Sequence, residues 1–208
     1  MKDIGAGIEM ANLTYKELMT VFLKLTYILR GYTLFDYSDI NSPAQSLIRE
    51  AYKRSSQPFQ RIEDGCSYVW LNFTDAEVDK TVNYVEEFNQ ELGLFITDSS
   101  QLRQLTAHWI FYGDTAQDNA FNFRLKLYSD EAKDFLDQYN IKLNPDIPEA
   151  VLLYEESNNQ WWPRVELSVN YYITTYFEEN KEAYNAINVY LKEENKDEIK
   201  IISEEDFN

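Results

Sequence analysis

The stretch RVELSVNYYITTYF, residues 164–177, decides the fold class of this chain. Its residues alternate almost perfectly between inward apolar and outward polar types. Side chains on a β-strand point alternately to opposite faces, so this pattern predicts a strand with one buried face. The inward set is expected to be Val165, Leu167, Val169, Tyr171 and Ile173, and the outward set Glu166, Ser168, Asn170, Tyr172 and Thr174.

Further strands are predicted on both sides of this stretch. Residues 66–73 and 102–112 alternate in the same way, and shorter strands are expected at 151–154 and 186–191. The inward residues are Val69, Leu71 and Phe73 in the first segment and Leu105, Ala107, Trp109 and Phe111 in the second. Residues 75–97 fit either a helix, by the spacing of their apolar residues, or a long twisted strand, by their valines and tyrosines.

Helices are predicted before and between the strands. Thr14 and Glu17 form a capping box, an apolar stripe from Leu18 to Leu29 follows, and Gly31 ends the helix. A second helix is expected from Ser42-Pro43 to about Ser55, and two more near residues 115–127 and 129–139. The order predicts an α+β fold: a mixed, mainly antiparallel sheet with helices packed on one face.

The chain is strongly acidic, with 36 Asp and Glu against 19 Lys and Arg and a net charge of −17. Such a surface repels nucleic acid and anionic membranes. It suits a protein that imitates DNA, a wall along which DNA slides, or simply a well-solvated surface. No signal peptide is expected, because residues 1–10 lack a basic region followed by an apolar run. No membrane span is expected, because the apolar stretch at residues 21–29 is short and interrupted by Lys24 and Thr26.

Few residues carry catalytic chemistry. His108 is the only histidine and is expected to be structural, because a histidine base needs a positioned partner. Cys66 is the only cysteine, has no histidine or basic cluster beside it, and is expected to be a buried thiol. The chain has six glycines and no phosphate-binding loop. We therefore expect no enzyme, and no catalytic, cofactor or metal site.

Aromatic residues at the strand ends are the more informative feature. Trp161-Trp162-Pro163-Arg164 opens the best strand, and a run from His108 to Gly113 closes another. Such residues either fill the core or form an interface, where Trp, Tyr and Arg are enriched. The candidates for a subunit or partner interface are Phe59, Trp109, Tyr112, Trp161, Trp162 and Arg164.

Several segments, taken in order, resemble the neck or tail-terminator proteins of tailed bacteriophages. They are Gln57-Pro58-Phe59, the strand at 66–72, His108-Trp109-Ile110-Phe111-Tyr112-Gly113, the link at 114–120 that opens a helix, and Gln160-Trp161-Trp162-Pro163-Arg164-Val165-Glu166-Leu167-Ser168. Relatives tend to carry Gln-Trp-Trp-x-Arg-x-Asp-Leu at the last position. The resemblance covers residues 45–192. The family has paired long strands where residues 75–97 are ambiguous, which favours the strand interpretation, although Glu86-Glu87-Phe88-Asn89 is more typical of a helix.

The resemblance implies a tail-terminator-like domain at residues 1–192, followed by an acidic C-terminal extension at 193–208. It implies a structural protein of the virion neck, made in the host bacterial cytoplasm, that forms a ring, usually hexameric. The ring caps the tail tube and stops its polymerisation. Its implied partners are the tube protein, a head-completion or connector protein and the sheath protein, and DNA passes through the lumen without specific binding. The alternative is an acidic, phage-encoded DNA mimic that inhibits a host defence protein.

Overall fold

The structure is a computed structural model that describes residues 12–51, 64–75, 81–89, 94–157 and 159–182. Within these residues the chain is α+β, as the alternation in residues 164–177 predicts. The helices are α1 Tyr15–Leu29, α2 Leu34–Ser38, α3 Pro43–Leu47, α4 Ala116–Lys126 and α5 Asp130–Asp137. The strands are β1 Ile48–Glu50, β2 Ser67–Asp75, β3 Val82–Asn89, β4 Leu94–Tyr112, β5 Ile141–Leu143, β6 Val151–Ser157 and β7 Gln160–Glu182.

The strands form one mixed, mostly antiparallel sheet in the order β1-β2-β4-β7-β5, with β3 paired to β4 and β6 paired to β7. Among the described pairings the short β1 runs parallel to β2, while β2 runs antiparallel to β4, and β5 and β6 run antiparallel to β7. The two longest strands, β4 and β7, are therefore neighbours in the middle of the sheet. Each carries a shorter hairpin partner near one of its ends.

The chain divides into two compact units. The first comprises residues 1–82 and 100–176, and the second comprises residues 83–99 and 177–208. The expected boundary at residue 192 lies outside the described residues.

The main core cluster of the first unit lies on one face of the sheet. The inward set predicted for β7 is buried throughout, with Val165, Leu167, Val169, Tyr171 and Ile173 at most 5% exposed. They pack with the inward residues of β2 and β4 against α1, α4 and α5 in a single cluster. The alternation predicts helices on this face, because it is apolar along each strand. The opposite face of β2 and β4 also carries buried side chains, which form a second, smaller cluster of Ala51, Cys66, Tyr68, Ile110 and Tyr112.

The first helix forms as predicted. Thr14 Oγ1 accepts a hydrogen bond from the Glu17 backbone N–H at 3.3 Å, and the Glu17 carboxylate accepts one from the Thr14 N–H at 2.8 Å. The predicted stripe is buried, and Gly31 lies at φ +86° just beyond the helix. A positive φ costs little only for glycine, so Gly31 ends the helix as expected.

The second predicted helix is wrong for residues 48–50, which form β1, and residues 52–55 lie outside the described residues. Ser42 caps α3 as expected, with its Oγ 3.3 Å from the Ala44 backbone N, but the helix ends at Leu47. Ile48 is extended, is 4% exposed and pairs with Ser67 of β2. Pairing with the sheet and burial of a β-branched side chain outweigh the local preference for helix.

Residues 75–97 are extended where the structure describes them. They form β3 and the beginning of β4, so the strand interpretation is confirmed for residues 82–89 and 94–97. The strand predicted at 102–112 therefore starts earlier, at Leu94. The strands predicted at 151–154 and 164–177 also extend further, and the strand predicted at 186–191 lies outside the described residues.

Candidate functional site

The hairpin of β6 and β7 brings together most of the aromatic residues that the sequence motif contributes to the surface. The strands run antiparallel, with Tyr154 opposite Pro163 and Glu156 opposite Trp161. Asn159 in the turn has φ +60°, a conformation that asparagine tolerates better than most residues. Because residues that face each other across two strands lie on the same side of a sheet, this register fixes which side chains share a face.

Large apolar side chains are exposed on both faces of this hairpin. Leu152, Tyr154 and Trp161 share one face, at 39%, 63% and 68% exposed, while Val151 and Leu153 on the other face are 55% and 42% exposed. We call these five residues the hairpin patch. A run of exposed apolar residues of this kind marks an interaction surface more often than an isolated exposed leucine does.

The backbone of β6 reinforces this interpretation. Among the described strands, β6 pairs with β7 alone. A seven-residue edge strand with apolar side chains on both faces can take up another chain through its main-chain groups. The hairpin patch is therefore equipped both to bury side chains and to extend the sheet.

On the second face, Arg164 anchors the hairpin to the end of β4. Its Nη1 donates to Glu155 at 2.7 Å, and its Nη2 donates to Glu166. The Tyr112 hydroxyl donates to the same Glu155 carboxylate at 2.8 Å, and its ring centroid lies 5.9 Å from the guanidinium. Charge-assisted bonds of this kind fix side-chain geometry.

Arg164 keeps its positive charge although its side chain is partly buried. Burial lowers the pKa of the guanidinium, but the hydrogen bond that it donates to Glu155 and the electrostatic effects of the neighbouring Tyr112, Glu166 and Glu155 outweigh that effect and raise the pKa above its ordinary value. The guanidinium therefore stays protonated and continues to anchor the hairpin that carries the hairpin patch.

Gly113 connects the end of β4 to the hairpin and leaves room for the backbone of Asp64. Gly113 has φ +94°, and its N–H donates to the Pro163 carbonyl at 3.0 Å. A Cβ on this residue would lie 2.6 Å from the Cα of Asp64, so no other residue fits without a backbone shift. The motif that ends at Gly113 and the motif around Pro163 are thus brought into contact.

The six interface candidates have different environments. Trp109 is fully buried in the helix-side core, where its Nε1 donates to Thr26 Oγ1 at 2.9 Å. Tyr112 is buried, Trp162 and Arg164 are half-buried, and Trp161 is exposed. Phe59 lies outside the described residues. The structure therefore brings four of the six candidates to one hairpin and its support.

Sequence reasoning missed the contribution of β6 to this surface. The run Val151-Leu152-Leu153-Tyr154 was expected to be a strand, without a role in binding. Its lack of alternation was the available sign, because four consecutive apolar residues cannot all face one core. On an edge strand such a run must leave apolar side chains exposed.

The face of the sheet opposite α1, α4 and α5 carries a polar ladder between β4 and β7. Thr106 donates to Asn170 at 2.8 Å, and His108 Nδ1 lies 2.7 Å from Ser168 Oγ. The His108 ring stacks on Trp70, with centroids 3.7 Å apart and an interplanar angle of 8°. Burial lowers the pKa of His108, and the charge of Glu166 partly opposes that shift. These contacts give His108 a structural environment.

Metal and membrane features can be judged within the described segments. No three His, Cys, Asp or Glu residues there come together as a metal site. None of the described helices is long and apolar enough to cross a bilayer. Cys66 is buried.

The comparison with known families agrees with the order of motifs and with the fold. The family model described as phage neck terminator protein matches residues 25–197, which is most of the chain and includes α4, α5 and the β6–β7 hairpin. No curated protein matches the chain. By the extent of this match, the chain belongs to the phage neck terminator protein family.

Proposed function

We propose that copies of this chain form a closed, hexameric ring. The ring caps the tail tube, stops its polymerisation and joins tail to head. The observation that carries the proposal is the family match over residues 25–197, which gives the chain a structural role in the phage neck. A ring of identical chains requires two different surfaces on each copy, because its contacts are head-to-tail. The proposed partners are the tail tube protein, a head-completion or connector protein and the sheath protein.

The hairpin patch supports a docking role. It offers exposed Tyr154 and Trp161, the residue types that dominate binding energy at interfaces, on a support that Arg164 makes rigid. A rigid support lowers the entropy lost on binding. We propose that this patch docks the end of the tail tube.

The charge supports passage of DNA through the ring. A net charge of −17 disfavours long contacts with the phosphate backbone, so DNA moves through an acidic lumen without specific binding. We place the protein in the virion neck after synthesis in the host bacterial cytoplasm.

We propose that the chain performs no catalysis. His108 is held by Trp70 and Ser168, and Cys66 is buried, so their environments are those of structural residues. His108→Gln and Cys66→Ser particles should remain infectious within a few fold. Loss of infectivity by correctly assembled particles would contradict this proposal.

Electron microscopy of particles made without the protein tests the ring role. The expected result is filled heads and tails that fail to join, or tails of abnormal length. Restoring the wild-type chain should restore joined particles. Normal tails joined to heads in its absence would contradict the terminator role and favour the acidic inhibitor of host defence.

A further inference from the structure

The outward side of the central strands β2, β4 and β7 forms a surface without charge. It consists of the even-numbered residues in 70–72, 104–108 and 168–174, which point away from α1, α4 and α5, and we call it the neutral face. All of them are exposed or half-buried. In the whole chain 26% of the residues are charged, yet none of these is Asp, Glu, Lys or Arg. Charged residues are depleted at the centre of protein interfaces, so this composition is typical of a surface that a partner covers.

Polar side chains of the neutral face hydrogen-bond to each other. Thr106 donates to Asn170 at 2.8 Å, and His108 Nδ1 lies 2.7 Å from Ser168 Oγ. Burying a polar group is costly when its hydrogen bond is lost, and a partner that covers this face leaves both pairs intact. Burial lowers the pKa of His108, so the ring brings no charge at about pH 7.

The net charge of −17 decides which kind of partner this face fits. Two copies of so acidic a chain repel each other. A contact between copies is therefore favoured where one of the surfaces brings no acidic side chain. A basic partner would gain more from an acidic surface, because opposite charges attract. The neutral face thus fits a second copy of this chain.

The second helix carries an apolar surface that can meet the neutral face. Three large apolar side chains are exposed on α2 and just after it. They are Leu34, Phe35 and Ile40, at 46%, 74% and 85% exposed, and we call them the α2 patch. Tyr37 packs edge-on against Tyr27 of α1, with ring centroids 5.2 Å apart. Because Phe35 and Tyr37 are two residues apart on a helix, this packing turns Phe35 away from α1.

Little free charge surrounds the α2 patch. Residues 40–48 contain no charged side chain. Asp36 accepts a hydrogen bond from the Thr33 N–H at 2.8 Å, and Asp39 accepts one from the Asn41 N–H at 2.9 Å. These bonds partly offset the charge of the two carboxylates.

We propose that the neutral face of one copy covers the α2 patch of the next copy. This proposal rests on the proposed ring and names the two unlike surfaces that a head-to-tail contact needs. Burial of Phe35 and Ile40 stabilises the contact, and the uncharged face receives them without repulsion. Because the two surfaces differ, the contact repeats from copy to copy and does not end at a dimer.

Charge placed on the neutral face tests whether this face is buried on assembly. Asn72→Glu with Gln104→Glu, and separately Asn72→Lys with Gln104→Lys, should each raise the concentration at which half the chains assemble by at least about tenfold. Both signs should act alike because burial penalises either charge, whereas an effect of net charge alone would make the lysine pair assemble better. Native mass spectrometry and sedimentation of the full-length chain, alone and with tail tube protein, measure assembly. The control is Gln117→Glu with Asn122→Glu on exposed residues of α4, which should leave assembly unchanged.

Mixing two defective variants tests whether the two surfaces belong to one contact. Phe35→Ser with Ile40→Ser removes most of the α2 patch and should also weaken assembly by at least about tenfold. At a concentration where the wild type assembles, this variant and the Asn72→Glu, Gln104→Glu variant should each stay monomeric. Their mixture should form dimers, because the intact neutral face of one variant meets the intact α2 patch of the other. Larger assemblies should not form, since both free ends of such a dimer carry altered surfaces.

The outcomes separate this contact from the ring itself. If the wild type assembles neither alone nor with tube protein, the proposed ring is wrong and so is the contact. If the wild type assembles and a variant of either surface assembles as well or better, or the mixture stays monomeric, the contact alone is wrong. Normal rings that no longer bind tube protein would assign the altered surface to the tube and also overturn it. Thermal unfolding checks each variant, and Asn72→Glu or Phe35→Ser alone, on exposed residues, replaces a double change that fails to fold.

Discussion

Val169 and Asn170 are neighbours on β7 whose side chains point to opposite faces of the sheet. Val169 is fully buried in the main core cluster. Asn170 lies on the opposite face of the sheet and accepts a hydrogen bond from Thr106 at 2.8 Å. Val169→Asp places an unpaired charge in the core and should cost at least about 3 kcal/mol of the free energy of unfolding. Asn170→Asp keeps an acceptor for Thr106 and should cost less than about 1 kcal/mol. Denaturant unfolding measures both, and the reverse order would show a register error of one residue.

His108 gives a second prediction at the residue scale, through pH. Its pKa in the folded chain is lowered from 6.5, first by burial, so the unfolded chain binds the proton more readily. His108 therefore contributes stability above pH 6.5 that is lost as the pH falls through its lowered folded pKa. The wild type should lose more stability than His108→Gln between about pH 7 and pH 5. Unfolding curves measured over this range test the prediction, and parallel pH profiles would contradict it.

At the scale of elements, the β6–β7 hairpin should matter for docking more than for folding. Tyr154→Ser with Trp161→Ser removes two exposed side chains, so the free energy of unfolding should change by less than about 1 kcal/mol. Binding to tail tube protein should weaken at least about tenfold, because Trp and Tyr are typical binding hot spots. Co-sedimentation with tube protein measures the loss.

A matched control exists on α4. Phe121 and Leu125 are 59% and 52% exposed and lie one helical turn apart. Phe121→Ser with Leu125→Ser removes comparable apolar surface and should leave tube binding unchanged. If both double variants lose binding equally, the hairpin patch has no special role.

Elements with a strong local pattern were predictable from the sequence. The alternation of β7 and the capping box of α1 each state which residues are buried, and the structure confirms both. The second helix was mispredicted because the pairing of Ile48 with Ser67 depends on residues far along the chain. The three-residue strand β5 was not predicted, since so short a segment carries no periodicity.

The candidate site was only partly predictable, for the same reason. Tyr112 could be chosen as an interface candidate because it is an aromatic residue at a strand end. Arg164 could be chosen because it is a basic residue at a strand end. Their meeting at the carboxylate of Glu155 depends on the register of β6 with β7 and on the close approach at Gly113. The turn between β6 and β7 sets their register locally, but the contact of Gly113 with Pro163 joins segments that are distant in sequence, and no local pattern encodes it.

At the scale of the whole molecule, the described core cluster and the acidic C-terminal residues are separated along the sequence. Every described residue of the main core cluster lies between Leu18 and Ile173. Residues 178–208 hold 10 of the 36 acidic residues. The C-terminal end of the sequence is therefore rich in acidic charge. Segments with high charge and few large apolar residues gain order chiefly from a partner.

This separation leads to the proposal that residues 193–208 are an acidic extension that orders against a neighbouring neck or tail protein. Deleting residues 195–208 should leave the unfolding temperature within a few degrees, because none of the described core residues is removed. Docking to the adjoining protein should weaken, by at least about threefold. A full-length variant with Asn or Gln at Asp197, Glu198, Glu204, Glu205 and Asp206 separates charge from length. If charge carries the contact, this variant should match the deletion, and both should differ least from the wild type at high salt, where screening removes the attraction. Unchanged docking by the truncated chain, or its failure to fold, would contradict the assignment of this segment as a partner-binding extension.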